Sequence, residues 1–194
     1  FYRSWVYFNE ARRWGGNILL PCVNHSEFNT CIRGSDIYIG FTHIANLEQN
    51  LIKALLSERE QHGPFASLED LIRRVDIQME QVFLLVKCGA LRFTGLSKGQ
   101  LLWQLYLHLA KRKPNPHVQT LFATPARTYT LPKLVHHPLE DAYDEIELLG
   151  FPVSCTWFDL LKTPFRGDIP ARAFNQHLGK TVRMVGHLVT LKYI

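Results

Sequence analysis

Apolar positions along this chain recur mostly at helical spacing, with two short stretches that alternate instead. Trp5, Phe8 and Ala11 predict a first helix that Ser4 can cap and Gly15-Gly16 can end. Residues 20–26 read as irregular. Phe28 to Ile32, a Gly34-Ser35 turn and Ile37 to Ile39 predict a β-hairpin. Residues 43–63 read as a hairpin feeding a helix, with Leu47, Leu51, Ala54 and Leu55 as its apolar stripe and Gly63-Pro64 as its stop. Ser67 with Asp70 has the form of a capping box opening a helix at 68–75. Asp76 is placed to cap a helix over 79–86 that ends at Lys87-Cys88-Gly89. Ser97 is placed to cap a longer one over 101–113, with Leu102, Leu105, Tyr106 and Leu109 inward.

Pro114-Asn115-Pro116 breaks that helix. Residues 114–137 then carry Pro114, Pro116, Pro125 and Pro132 and little periodicity, apart from the apolar pair Leu121-Phe122. Pro138 suits the first turn of a helix over 139–149 that Gly150 ends. Residues 150–178 read as irregular. Residues 181–191 alternate, are rich in β-branched side chains and predict one strand, which needs a sheet to join. The pattern is mainly α, with a small N-terminal β-hairpin and a lone C-terminal strand.

Composition narrows this picture. With 46% hydrophobic and 20% charged residues over 194 positions, the chain can bury a core and is not a disordered tail. No apolar run reaches the roughly 18 residues that a membrane span needs. The start, Phe1-Tyr2-Arg3-Ser4-Trp5, lacks a secretory pattern, and the missing initiator methionine suggests an excised piece. Cys22, Cys31, Cys88 and Cys155 form no C-x-x-C pair and share no metal-ligand spacing with the histidines. They read as reduced thiols. No phosphate-binding loop, nucleophile elbow or zinc-protease motif occurs, and no nucleophile–base pair stands out. The residues point to no catalytic centre and no metal site. Asp141, Asp144 and Glu145 read as the wet face of their helix.

Charge changes the picture more. Residues 1–80 hold ten acids and eight bases, and residues 140–194 hold seven acids and six bases. Residues 81–139 hold no acid and eight bases, among them Lys87, Arg92, Lys98 and Lys111. The whole net charge of +5 therefore arises in the middle. Such a stretch fits a polyphosphate partner. It equally fits a surface whose neutralising acids come from elsewhere in the fold.

Two segments share one logic: helix, tight turn, helix. One turns at Ile44-Ala45-Asn46-Leu47, the other at Lys87-Cys88-Gly89-Ala90-Leu91. A turn of this kind can aim successive backbone N–H groups at a phosphate without reading a base. Ordinary helical hairpins share the pattern.

Several blocks together resemble one family. The run from Gly63 to Asp76 (GPFASLEDLIRRVD) and the run from Phe83 to Leu91 (FLLVKCGAL) are similar to the tandem helix–hairpin–helix units of the bacterial DNA polymerase III alpha subunit, a family C replicative polymerase. Glu10 to Gly15 and Leu20 to Ser26 resemble the end of that family's fingers. Glu147 to Ser154 resembles the segment leading to its OB domain, and Gly179 to Gly186 the first OB strand.

The resemblance implies a division into an end-of-fingers segment at 1–40, a tandem helix–hairpin–helix DNA-binding domain at 41–113, and a linker with a clamp-binding-like peptide at 114–137. A connecting helix and irregular segment follow at 138–178, then the first strand of a truncated OB domain at 179–194. The implied fold class is mainly α.

The implied function is sequence-independent duplex DNA binding and sliding-clamp docking within a DNA-directed DNA polymerase, in the cytoplasm, with other replicase subunits as partners and no membrane. Duplex contacts carry over to Lys87, Cys88, Gly89 and Ala90, with Arg92 and Lys98 nearby. The family favours two glycines in the first turn, where this chain has Asn46 and Glu48, so that unit can be structural. The clamp peptide, of the form Gln-x-x-Leu-Phe, falls on Gln119, Leu121 and Phe122, with the Gln shifted by one. The same Leu-Phe pair could instead pin the loop onto its own helices. Single-strand contacts in the OB part fall on Lys180, Arg183 and Lys192. The family's catalytic carboxylates, and the Mg that its polymerase needs, belong to a palm with no counterpart here, so this piece should be inactive alone and hold no cofactor. Two other readings stand: a protein-interaction scaffold without DNA binding, and a stand-alone helix–hairpin–helix repair protein.

Overall fold

The computed structural model describes residues 2–111, 137–189 and 191–192. It opens with α1 (Ser4–Arg13), which starts at Ser4 itself; the residue before it, Arg3, makes no side-chain cap. Three short strands follow: β1 (Asn17–Leu19), β2 (Cys31–Arg33) and β3 (Asp36–Tyr38). β2 and β3 form the expected hairpin, and β1 pairs in parallel with β3, so the order is β1-β3-β2. The sequence pattern did not foresee β1, because three residues are too few to establish an alternation.

Helices α2 (Gln49–His62), α3 (Leu68–Arg74), α4 (Met79–Lys87) and α5 (Lys98–Lys111) carry the centre of the chain. The inward stripe of α2 is Leu51, Ile52 and Leu55; Ala54 faces solvent, a correction to the expected stripe. The helix period places Ile52 one step around from Leu51, still toward the core.

Ser67 Oγ accepts from the Asp70 amide at 3.1 Å and opens α3. Asp76 does not cap α4: the residue before that helix is Gln78, and it makes no side-chain cap. Ser97 and Gln100 form a reciprocal capping pair at α5, with Ser97 Oγ accepting from the Gln100 amide and Gln100 Oε1 from the Ser97 amide. Among the α5 side chains that are described, Leu101 and Leu105 are buried and Leu102 is partly buried, while the expected inward Leu109 lies outside them; Tyr106 is exposed, against expectation, and stacks on Trp103.

α6 (Pro138–Leu149) has Pro138 in its first turn and Gly150 in a left-handed conformation at its end. The side chain of His137 caps it. Beyond α6, a 3₁₀ turn spans Ala171–His177. The strand expected at 181–191 does not form among the described residues. A single antiparallel bridge, Gly167 with Met184, is all the pairing it finds. An isolated run of alternating residues has no ladder to complete, and pairing is what makes a strand.

One apolar cluster runs from Ile18 to Val153 and joins α1, β1, β3 and α2 to α6; β2 adds no residue to it, and Ile32 is exposed. Phe8 of α1 stacks on Phe151 at 5.3 Å, and Arg12 donates to the Val153 carbonyl at 2.6 Å. The 63–76 run is held by Arg74, which pairs with Glu58 and Asp70, donates to the Gly63 carbonyl and lies over the Phe65 ring.

Candidate nucleic-acid interface

The first turn is built by a left-handed Asn46 (φ 62°) leading into the exposed start of α2. Asn is the side-chain-bearing residue that adopts this conformation most readily, so the turn forms without glycine. Gln81 of α4, only 9% exposed, holds it from behind. Its Oε1 accepts from the Glu48 amide at 2.9 Å, and its Nε2 donates to the Asn46 carbonyl at 3.1 Å. The Ala45 amide donates to the Leu148 carbonyl at the end of α6. No side chain caps α2. Among the described residues the amides of Gln49 and Asn50 have no partner, as expected at the first turn of an uncapped helix. Lys53 is exposed one turn further along the same face.

The second turn differs. Gly89 is left-handed (φ 77°), and the chain there lies inside the protein. Cys88, Gly89 and Ala90 are buried, and their amides donate to Leu84, Val86 and Leu85. The Ala90 carbonyl accepts from the Val23 amide. Burial pushes the Cys88 thiol up to about 12. In this conformation the three amides are committed inward, and the outward part of the turn is its cations.

Those cations meet α6. Lys87 Nζ lies 3.1 Å from Asp144 and 2.8 Å from Glu147. Lys98 Nζ lies 2.7 Å from Asp141 and 2.6 Å from Asp144. Arg92 reaches Glu145 at 3.9 Å. The Lys87 and Lys98 side chains are only 19% and 15% exposed, whereas Arg92 is 51% exposed. The hydrogen bond that Lys87 donates to Glu147, with Asp144 behind it, holds Lys87 above the usual lysine range. A cleft of about 200 Å³ opens beside the cluster, lined by Gly89, Arg92, Ser97, Lys98 and Asp141.

The α6 carboxylates are therefore not a plain wet face. Asp144 bridges two lysines, and Glu145, 1% exposed, accepts through Oε2 from the Val153 amide, the Ser154 amide and the Ser154 hydroxyl. Its Oε1 makes no hydrogen bond. For Lys87 and Lys98 the neutralising acids do come from elsewhere in the fold. The available signal was a run of carboxylates at helical spacing placed after a long basic stretch, but nothing local says that the two meet.

Lys180 and Lys192 are exposed. Arg183 pairs with Asp168 at 3.1 Å and lies over the Phe165 ring. Gln119, Leu121 and Phe122 lie outside the described residues. Among the described residues no cluster of three or more His, Cys, Asp or Glu side chains is placed to hold a metal ion, and no helix is long and apolar enough to cross a membrane.

Residues 15–101, which contain both turns, match the helix-hairpin-helix motif family. More particularly, the chain is 37% identical over 105 residues to the error-prone DNA polymerase of Mycobacterium tuberculosis, a match covering 53% of this chain and 10% of that protein. It is 38% identical over 92 residues to DNA polymerase III subunit alpha of Thermus aquaticus, covering 46% and 8%. It is 37% identical over 70 residues to the corresponding subunit of Borreliella burgdorferi, covering 36% and 6%. About half of the chain is thus a helix–hairpin–helix region of the DNA polymerase III alpha type. The chain spans about a tenth or less of the length of these relatives.

Proposed function

We propose that this chain is a sequence-independent, duplex-binding segment of a bacterial DNA-directed DNA polymerase. The observation that carries the reading is the first turn: an exposed loop, fixed by Gln81 and leading into an uncapped helix start with open amides and Lys53 on the same face. Open amides at a helix start suit a phosphate oxygen and are indifferent to the base. This reverses the emphasis drawn from the sequence alone, in which the second turn made the contact. Lys87, Arg92 and Lys98 remain the cations nearest that second turn, and their carboxylate partners decide whether they are available. Clamp docking belongs to the same proposal: Leu121 and Phe122, in a proline-flanked stretch with Gln119, have the chemistry to enter an apolar pocket on a ring-shaped partner.

The test is fluorescence anisotropy with two duplexes of unrelated sequence at two salt concentrations. Both duplexes should bind alike, and binding should weaken steeply with salt. Lys53→Glu should weaken it several-fold and lower the salt slope by about one. Adding a bacterial sliding clamp should give a complex that Leu121→Ala with Phe122→Ala abolishes. Unequal duplexes, or salt-independent binding, would refute the duplex proposal. One observation favours a second reading, a protein scaffold without DNA contact: the ion pairs that already satisfy Lys87 and Lys98. That reading predicts clamp binding with no anisotropy change at any salt.

A further inference from the structure

We infer that Lys87, Arg92 and Lys98 form a second phosphate-binding face, which α6 covers with carboxylates standing where backbone phosphates of duplex DNA would bind. The inference rests on the duplex-binding reading and concerns the regulation of that surface.

The geometry of Asp144 is the starting point. Its Oδ1 lies 3.1 Å from Lys87 and its Oδ2 lies 2.6 Å from Lys98, so one anion with two oxygens joins two cations on different helices. A phosphodiester offers the same thing, two unesterified oxygens sharing one negative charge. Glu147 and Asp141 add a second carboxylate to each lysine. Two ammonium groups so far removed from water need an anion beside them. That need can be met by α6 or by a phosphate, and meeting it with a phosphate leaves neither lysine unpaired.

Arg92 is the open edge of the face. It is half exposed, reaches Glu145 only at 3.9 Å, and borders the cleft between the second turn and α6. A phosphate entering there meets Arg92 before it meets the lysines. α6 itself is anchored in the core by Leu148 and Leu149, so what a phosphate displaces is the carboxylate side chains paired with the lysines, of which Glu147 is the most exposed. Residues 81–139 supply no carboxylate of their own.

The experiment compares duplex binding by the unmodified 194-residue chain, by Glu147→Gln, and by Asp144→Asn with Glu147→Gln, at several salt concentrations. Each change removes charge without altering side-chain length. Glu147 is 65% exposed, so the single variant leaves the core intact. The inference predicts a rise in affinity, on the order of threefold for the single variant and tenfold or more for the double. It also predicts a salt dependence steeper by about one for each phosphate gained. Purely structural ion pairs would give lower thermal stability with unchanged or weaker binding, and that result overturns the inference. If all three proteins fail to bind at the lowest salt, the duplex reading itself falls. If all three bind equally, only the cover over the second face does.

Discussion

Gln81 shows how much one side chain can replace. In the first turn, Asn46 and Glu48 stand where glycines are favoured in the family that the sequence resembles, yet the loop is held by one hydrogen bond accepted and one donated by a single buried amide on α4. Asn46 supplies the left-handed conformation, and Gln81 supplies the constraint. Gln81→Leu keeps the volume but leaves the Glu48 amide and the Asn46 carbonyl to solvent. The expected cost is about 1 kcal/mol in urea unfolding. Hydrogen exchange at the Glu48 amide should quicken while the deep α4 amides, such as that of Leu85, keep their protection. Equal quickening at both places would mean that Gln81 supports the core generally and not the turn. Neither the burial of Gln81 nor its reach across 33 and 35 residues could be read from the sequence, because a Gln on a helix gives no periodic signal.

At the scale of elements, local grammar carried the reading well. The Ser67 cap of α3, the Ser97 cap of α5, the Pro138 start and the Gly150 stop of α6 all depend on residues within a few positions of each other. The β2–β3 hairpin was legible for the same reason. Two local expectations failed, the caps at Ser4 and Asp76, and partnership over distance was missed. β1 is three residues long and exists because β3 accepts it in parallel. The last strand was expected from alternation but has no neighbour to pair with beyond one bridge. The Asp144 and Glu145 side chains were assigned to solvent, although they reach Lys98, Val153 and Ser154 in other elements. Charge counting located the basic stretch correctly; only the fold shows which carboxylates answer it.

Acid stability reports on the whole molecule. Asp70 is held below the ordinary carboxylate range by the Ala66 amide first and then by Arg73 and Arg74, and Glu58 is held down chiefly by Arg74. A carboxyl whose folded value is depressed adds stability above its unfolded value and loses it as pH falls through the folded one. Stability should therefore decline as pH falls below about 4, where free carboxylates begin to protonate. Asp70→Asn should flatten that decline at the expense of stability near neutrality, as followed by thermal unfolding at a series of pH values; an unchanged slope would remove Asp70 from the explanation.

α2, which carries Glu58 near its end, starts at the turn proposed to meet DNA, and the most direct test of the account observes that turn. Backbone amide resonances of the isotopically labelled 194-residue chain should be followed as an arbitrary duplex is added at low salt. The account predicts that the Asn46, Gln49 and Asn50 amides move first and most, while the inward amides of Cys88, Gly89 and Ala90 stay in place. Shifts confined to residues remote from the first turn, or no shifts at all with excess duplex, would contradict it.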